Sequence, residues 1–195
     1  MLQTFQNLDG AVLLAIQGLR QDWLDPLVEG YTTLGNAGMV WIVLAAAMLF
    51  WKPTRKAGAL AVAAMLLGLL CTNVILKPLV ARERPWLHVA GLIPLIAEPD
   101  PYSFPSGHTT AAFAAGMTWV RTLPRKWMRG LAVGMAVCMG LSRLYVGVHY
   151  PGDVLGGALV GSLCAWAARI GYQRFCNRGE DRPGAGLRTE RTERE

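Results

Sequence analysis

The chain has 195 residues, of which 53% are hydrophobic and only 16% charged, and its net charge is +6. Soluble domains carry about a quarter charged residues, so this composition excludes an ordinary water-soluble globule and points to a membrane as the solvent. The bases fall in short clusters between apolar runs, which fits membrane topology rather than nucleic-acid binding, and no nucleic-acid partner is expected.

Residues 1–29 are expected to form an amphipathic interfacial segment, either one helix or a helix pair broken near Pro26. Arg20, Asp22 and Asp25 interrupt it, so a sixth span there is left open. The N-terminus lacks a basic opening run, and Ala11–Leu19 is short and broken by Gln17, so no cleavable signal peptide is expected.

Residues 30–176 carry the membrane-embedded domain. Gly30–Trp51 and Ala57–Leu76 each approach the roughly 20 helical residues that cross a bilayer. Pro101–Val120 is a third stretch, interrupted by His108. Gly130–Ser142 and Val154–Ala168 are shorter than the ~30 Å of hydrocarbon requires. If they span, Arg143, His149 and Asp153 lie within the membrane's thickness, where charge is costly and usually functional. The expected fold class is therefore all-α: an integral membrane helical bundle of about five transmembrane helices, six possible, plus an N-terminal amphipathic helix. Residues 177–195 mix charge with Gly, Pro and Thr and read as a disordered cytoplasmic tail.

Lys52, Arg55 and Lys56 follow the first span, Arg121, Arg125, Lys126 and Arg129 the third, and Arg169, Arg174 and Arg178 the fifth. Five alternating spans put these clusters on one face, which the positive-inside rule makes cytoplasmic. A multi-pass protein of the cell (inner or plasma) membrane is implied. Cys71, Cys138, Cys164 and Cys176 form no C-x-x-C pair and read as packing residues rather than metal ligands or disulfides. The seven tryptophans, Trp41, Trp51, Trp86, Trp119 and Trp127 among them, read as an aromatic belt near span ends.

The opposite, extracytoplasmic face receives Lys77, His108, Arg143, His149 and Asp153, and the loop from Pro78 to Gly107 adds Arg82 and Arg84. Bases on the face the positive-inside rule disfavours want a cause, and a bound anion is the simplest. Lys77 alone could be an interfacial lysine whose head reaches water. In Pro105-Ser106-Gly107-His108, Ser106 stands as an N-cap and Gly107 lets a ligand approach the backbone, which makes a helix start into an anion site. Pro151 suits a first helical turn, so His149 and Asp153 fall about one turn apart, where an aspartate fixes the imidazole tautomer and frees the other nitrogen to attack. A structural His–Asp cap is the bland alternative.

Taken in order, Lys77-x6-Arg84-Pro85, Pro105-Ser106-Gly107-His108 and Ser142-Arg143-x5-His149-x3-Asp153 resemble the signature of the type 2 phosphatidic acid phosphatase and vanadium haloperoxidase superfamily. The resemblance covers roughly Gly58 to Gly161. It implies His149 as nucleophile, forming a phosphohistidine, Asp153 as its orienting partner and His108 as general acid and base. It implies Lys77, Arg84, Ser106, Gly107 and Arg143 as the cage for the phosphoryl oxygens, where charge and positioning carry the catalysis. Arg82 matches no fixed position and is left to a second substrate phosphate or lipid headgroups. His88, Glu98 and Asp100 read as solvated loop residues, and Tyr145 and Tyr150 as interfacial anchors.

The activity implied is hydrolysis of a phosphomonoester or pyrophosphate of a lipid in the bilayer. Phosphatidic acid, phosphatidylglycerol phosphate, undecaprenyl pyrophosphate and a lipid A phosphate all remain open, as does oligomeric state. The alternatives are a lipid phosphotransferase using a lipid pyrophosphate donor, a haloperoxidase, and a non-catalytic lipid-binding or transport protein. No acidic cluster has metal-ligand spacing, so no metal and no cofactor are expected. Release of phosphate from a lipid phosphate should therefore persist in excess chelator; loss of turnover that Mg²⁺ restores would contradict this.

Overall fold

The computed structural model describes residues 2–180, so the tail expected over 177–195 lies outside the described residues from 181 onward; up to Glu180 the chain is helical. Helix α1 runs Leu2–Gly18 and α2 Asp25–Leu34, with Pro26 in the first turn, where its missing N–H costs nothing. Helix α3 is Met39–Leu49 and α4 Arg55–Leu69. The latter continues through a π-helical stretch, Leu70–Leu76, into the short α5, Lys77–Val80. After a long loop come α6, Gly107–Thr122, α7, Lys126–Tyr145, and α8, Pro151–Glu180.

The expected all-helical architecture is met. Lys52–Val80 and Pro151–Asn177 are each long and apolar enough to cross a membrane, and the pair Asp25–Leu34 and Asn36–Leu49 makes a third if counted as one span. That pair corrects the first expected span. Instead of one rod over Gly30–Trp51, the chain bends by 50° near Gly35, with Ala37 and Gly38 both at positive φ (52° and 72°). Helices α6 and α7 are shorter or more charged and complete the bundle with α4 and α8. The N-terminal segment is also more than an interfacial strip. Leu13 is buried against Leu92 and Tyr150, and Gln17 and Arg20 bond the backbone of Gly91, Ile93 and Tyr145.

Helix α6 is the centre of the bundle, packed on α4, α7 and α8. Small residues let it be central: Ala112, Ala114 and Ala115 are fully buried. Gly157 and Gly161, one turn apart on α8, press directly on its backbone. A Cβ at Gly157 would stand 2.6 Å from the Ser106 carbonyl oxygen, and one at Gly161 would stand 2.8 Å from Ala114 N. Without a hydrophobic force between helices in lipid, such close backbone approach is a main source of association. Trp41 and Trp119 are not belt residues. Both are buried, with ring centroids 5.9 Å apart, and they fill the core between α3 and α6. Trp23, Trp51, Trp127 and Trp166 do face outward.

Gly161→Ala should therefore cost about 1–3 kcal/mol, because a methyl group there must push two backbones apart. Gly130→Ala, with no atom within 4 Å of the added methyl, is the control. Thermal unfolding in detergent should show a lower midpoint for the first and none for the second; equal midpoints would contradict the packing argument.

Candidate active site

Three structural devices gather polar residues at one end of the bundle. The first is the start of α6. Ser106 caps it: its Oγ accepts from Thr109 Oγ1 at 3.0 Å, while its N–H donates to the Asp153 carbonyl at 3.0 Å. Gly107 follows, and His108 points its Nε2 at Asn36 Oδ1, 2.9 Å away. The second is the π-helical stretch, which widens the helix below Lys77; such insertions recur at functional sites. Lys77 is nearly buried there and pairs with Asp100. The third is the end of α7 and its turn into α8, where Arg143, in the last turn of α7, and His149, in the connection, are both buried.

Arg143 is fully buried. Its Nη1 donates to Thr32 Oγ1 at 2.8 Å, and its Nη2 pairs with Glu98. Arg84, 1% exposed, donates from Nη1 to the Val148 carbonyl at 2.9 Å and from Nε to the Asp100 carbonyl at 2.9 Å. Its Nη1 also lies 3.1 Å from His149 Nε2, and its Nη2 3.8 Å from Glu98 and 3.9 Å from Asp100. His149 Nδ1 has no hydrogen-bond partner but stands 3.6 Å from Asp153 Oδ2. That is longer than a hydrogen bond, and catalytic contacts are commonly long before substrate binds. Asp153 itself is fixed, because Oδ2 accepts from Tyr150 N at 2.9 Å and Oδ1 accepts from Arg82 at 2.8 Å.

Electrostatics follow from this crowding. His149, in the connection between α7 and α8, is held well below the usual imidazole range by burial first, then by Arg143, Arg84 and Lys77. Burial alone would raise Asp100, but the bonds from Lys77 and Tyr102 N, with Arg84 nearby, leave it below the ordinary carboxylate range. Burial likewise lowers Arg84 against the pull of Glu98 and Asp100.

A cavity of about 540 Å³ opens on these groups. Lys77, Arg84, His108 and His149 form its polar end with Glu98 and Asp100, and Ile42, Val62, Met65, Leu66 and Leu69 from α3 and α4 form an apolar wall. Of the eight residues expected at a site, Lys77, Arg84, Gly107, His108 and His149 line the cavity. Ser106, Arg143 and Asp153 stand behind that lining, buried. The size suits a single organic ligand. Among the described residues no group of three or more His, Cys, Asp or Glu side chains could hold a metal, and all four cysteines are free.

The sequence profile of the PAP2 superfamily matches residues 57–175. The chain belongs to the PAP2 superfamily. An undecaprenyl-diphosphatase of Sulfolobus acidocaldarius is 39% identical over 134 residues, 69% of this chain and 63% of that one. A phosphatidylglycerophosphatase B of Bacillus subtilis is 33% identical over 81% of this chain and 80% of its own. The crystal structure of a transmembrane PAP2 type phosphatidylglycerolphosphate phosphatase from Bacillus subtilis superposes with a TM-score of 0.71 at 32% identity, covering 87% of this chain and 86% of that one. The chain is thus a multi-pass membrane protein of a family whose named relatives are phosphatases of lipids, as expected of it.

Several finer expectations for this PAP2 member need correction. Glu98 and Asp100 are not free loop carboxylates: both are partly buried and pair with bases that are themselves buried and need a counter-charge. Arg82, left to a second phosphate or lipid headgroups by sequence, has its guanidinium paired within the protein. It bridges Asp153 and Asp9, both at 2.8 Å, and lies 3.9 Å over the Tyr150 ring. Tyr150 is buried beneath it and so is no anchor at a lipid surface, while Tyr145 is part-exposed and donates to Asp25 at 2.7 Å. His88 is exposed as expected and pairs with Glu83. Asn36, Thr32 and Asp9 were not singled out by sequence; only the need to find partners for His108, buried Arg143 and Arg82 could have pointed to them.

The depressed His149 gives a direct check. An unshifted imidazole, with a pKa of about 6.5, is roughly nine-tenths protonated at pH 5.5. His149 should remain neutral there in ¹⁵N NMR of histidine-labelled protein, and an imidazolium signal assigned to it at that pH would contradict the burial argument.

Proposed function

We propose that the chain removes the terminal phosphoryl group from a lipid phosphomonoester or diphosphate through a phosphohistidine on His149, on the extracytoplasmic side of the cell membrane. One observation carries the reading: the buried His149 imidazole, Lys77 and Arg84 line one end of a cavity with an apolar wall, and the buried Arg143 stands just behind them. A phosphate fits one end and a lipid chain the other. The names of the relatives, a diphosphatase and a glycerophosphatase, support the substrate class. The sidedness rests on the basic clusters Lys52–Lys56, Arg121–Arg129 and Arg169–Arg178, which five alternating spans put opposite the site. The catalytic unit is residues 30–176, with 1–29 docked on it.

In the first step the lone pair of His149 Nε2 attacks phosphorus. The P–O bond to the lipid breaks, and the departing oxygen takes a proton from His108. Nδ1 keeps its proton, which faces Asp153, so the charge that develops on the imidazole meets a carboxylate. Lys77, Arg84 and Arg143 draw the equatorial oxygens while Ser106 and the Gly107 N–H contribute from the helix start. In the second step His108 takes a proton from water, the water oxygen attacks phosphorus, and the P–N bond breaks. Inorganic phosphate leaves and His149 is restored. The Arg84 contact to Nε2 must yield as the phosphoryl group arrives, which couples nucleophile release to oxyanion binding.

Detergent-purified protein offered a panel of lipid phosphates should release inorganic phosphate. His149→Ala should lower that release by on the order of 10³-fold or more, and His108→Asn by roughly 10²–10⁴-fold. Equal release from the parent and His149→Ala would sink the proposal, and transfer seen only on addition of a second lipid would favour a phosphotransferase.

A further inference from the structure

We propose that Glu98 and Asp100 form a charge-matched gate on the phosphate cage, which admits a terminal phosphoryl dianion and keeps phosphodiester headgroups out. The inference rests on the phosphate-site reading above and concerns what selects the anion.

The two carboxylates cover every cation assigned to the cage. Asp100 pairs with Lys77, Glu98 pairs with Arg143, and Arg84 lies within 4 Å of both, at 3.8 and 3.9 Å. Glu98 and Asp100 line the same cavity as His108 and His149, so they stand where a ligand's oxygens would compete for the same N–H groups. A guanidinium or ammonium whose donors face a carboxylate at contact distance has few left for a phosphate. The incoming group must therefore displace the acids.

The segment that carries them is built to let go. Leu95 N is bonded to the Val146 carbonyl at 3.0 Å, and Ser103 N to the Arg82 carbonyl at 2.7 Å. Between these anchors residues 96–100 make no backbone-to-backbone hydrogen bond among the described residues, and the acids hold the stretch down together with the Arg84 bond to the Asp100 carbonyl. Withdrawing them breaks ion pairs but no ladder.

Charge then decides what can enter. Glu98 and Asp100 together supply two negative charges. A terminal phosphoryl dianion replaces them one for one and brings three non-bridging oxygens for three cations. A phosphodiester brings one charge and two such oxygens, so it leaves one more buried cation uncompensated than the acids or the dianion do, an arrangement that is strongly disfavoured. A protein in a bilayer is surrounded by phosphodiester headgroups, and an ungated cationic cage would collect them.

The test uses the full chain in detergent with His149→Ala, so that binding is read without turnover. Inorganic phosphate at pH 8 stands for the dianion and dimethyl phosphate for the diester, both titrated calorimetrically. With both acids present, phosphate should bind and dimethyl phosphate should bind at least about tenfold more weakly. Glu98→Gln and Asp100→Asn should each tighten dimethyl phosphate by about tenfold or more, and added dimethyl phosphate should then inhibit lipid-phosphate turnover in the chain that keeps His149. Asp100 is one-third exposed, so its variant stands alone if the loss of Glu98 beside buried Arg143 prevents folding. Unchanged or weaker diester binding in the folded variants overturns the gate while leaving the phosphatase reading intact. Absence of phosphate binding in every variant overturns both.

Discussion

Three bases with little access to water set the terms for the rest of this structure. Lys77, Arg84 and Arg143 are each at most 9% exposed, and a buried cation is tolerated only with a counter-charge and satisfied donors. Removing one partner of such a pair typically costs about 3–5 kcal/mol. The loop between α5 and α6 accordingly cannot be a slack connection. It must return Glu98 and Asp100 to the bundle end, and the bonds at Leu95 and Ser103 fix the points between which it does so. Burial first, and then the same bases, hold His149 below the usual imidazole range, so the cage that would bind the substrate also favours the nucleophile proposed here.

A second chain of charge runs outward from the site. Asp153 is fully buried, and Arg82 neutralises it while also holding Asp9 on α1. Helix α1 is thereby tied to the start of α8 through one guanidinium, and Arg20 adds bonds to the Tyr145 and Ile93 carbonyls. The N-terminal segment thus acts as a clamp on the turn that presents His149. An interfacial helix held by lipid alone could not fix that turn, because its position would follow the bilayer surface rather than the bundle.

Most of the site's cations and histidines were legible from sequence because they stand next to turns or helix boundaries that Pro or a capping Ser marks: Lys77 before Pro78, Arg84 before Pro85, His108 after Ser106 and His149 before Pro151. The span pattern was legible for α4 to α8, whose apolar runs are bounded by bases. Partners were not. Glu98 and Asp100 sit among prolines and small residues, which reads as a surface loop, and nothing local says that the chain there turns inward. Asn36, Thr32 and Asp9 are single polar residues whose role depends on contacts 72 to 111 positions away. Trp41 and Trp119 misled for the opposite reason: tryptophan near a span end has two common fates, and only the packing of α3 on α6 chooses between them.

The bend in the first span has a geometric cause of its own. At about 100° per residue, Thr32 and Trp41 would lie on opposite faces of an uninterrupted helix, nine positions apart. Both are fully buried, Thr32 beneath Arg143 and Trp41 against Trp119. A straight helix could bury only one of them. The turn at Gly35–Gly38 rotates the second half so that both face the bundle, and it leaves Asn36 opposite His108. Positive φ at Ala37 costs about 1–2 kcal/mol, comparable to the roughly 1 kcal/mol that a single hydrogen bond returns, so the Asn36 contact alone does not sustain it. Burial of Trp41 does, at several times that value for a large aromatic side chain. Gly35 is what makes the turn possible so close to the site, since a Cβ there would meet Met139 at 2.6 Å and His108 at 3.0 Å. The position of Asn36, the partner of the proposed general acid, thus depends on the packing of a tryptophan in the bundle core.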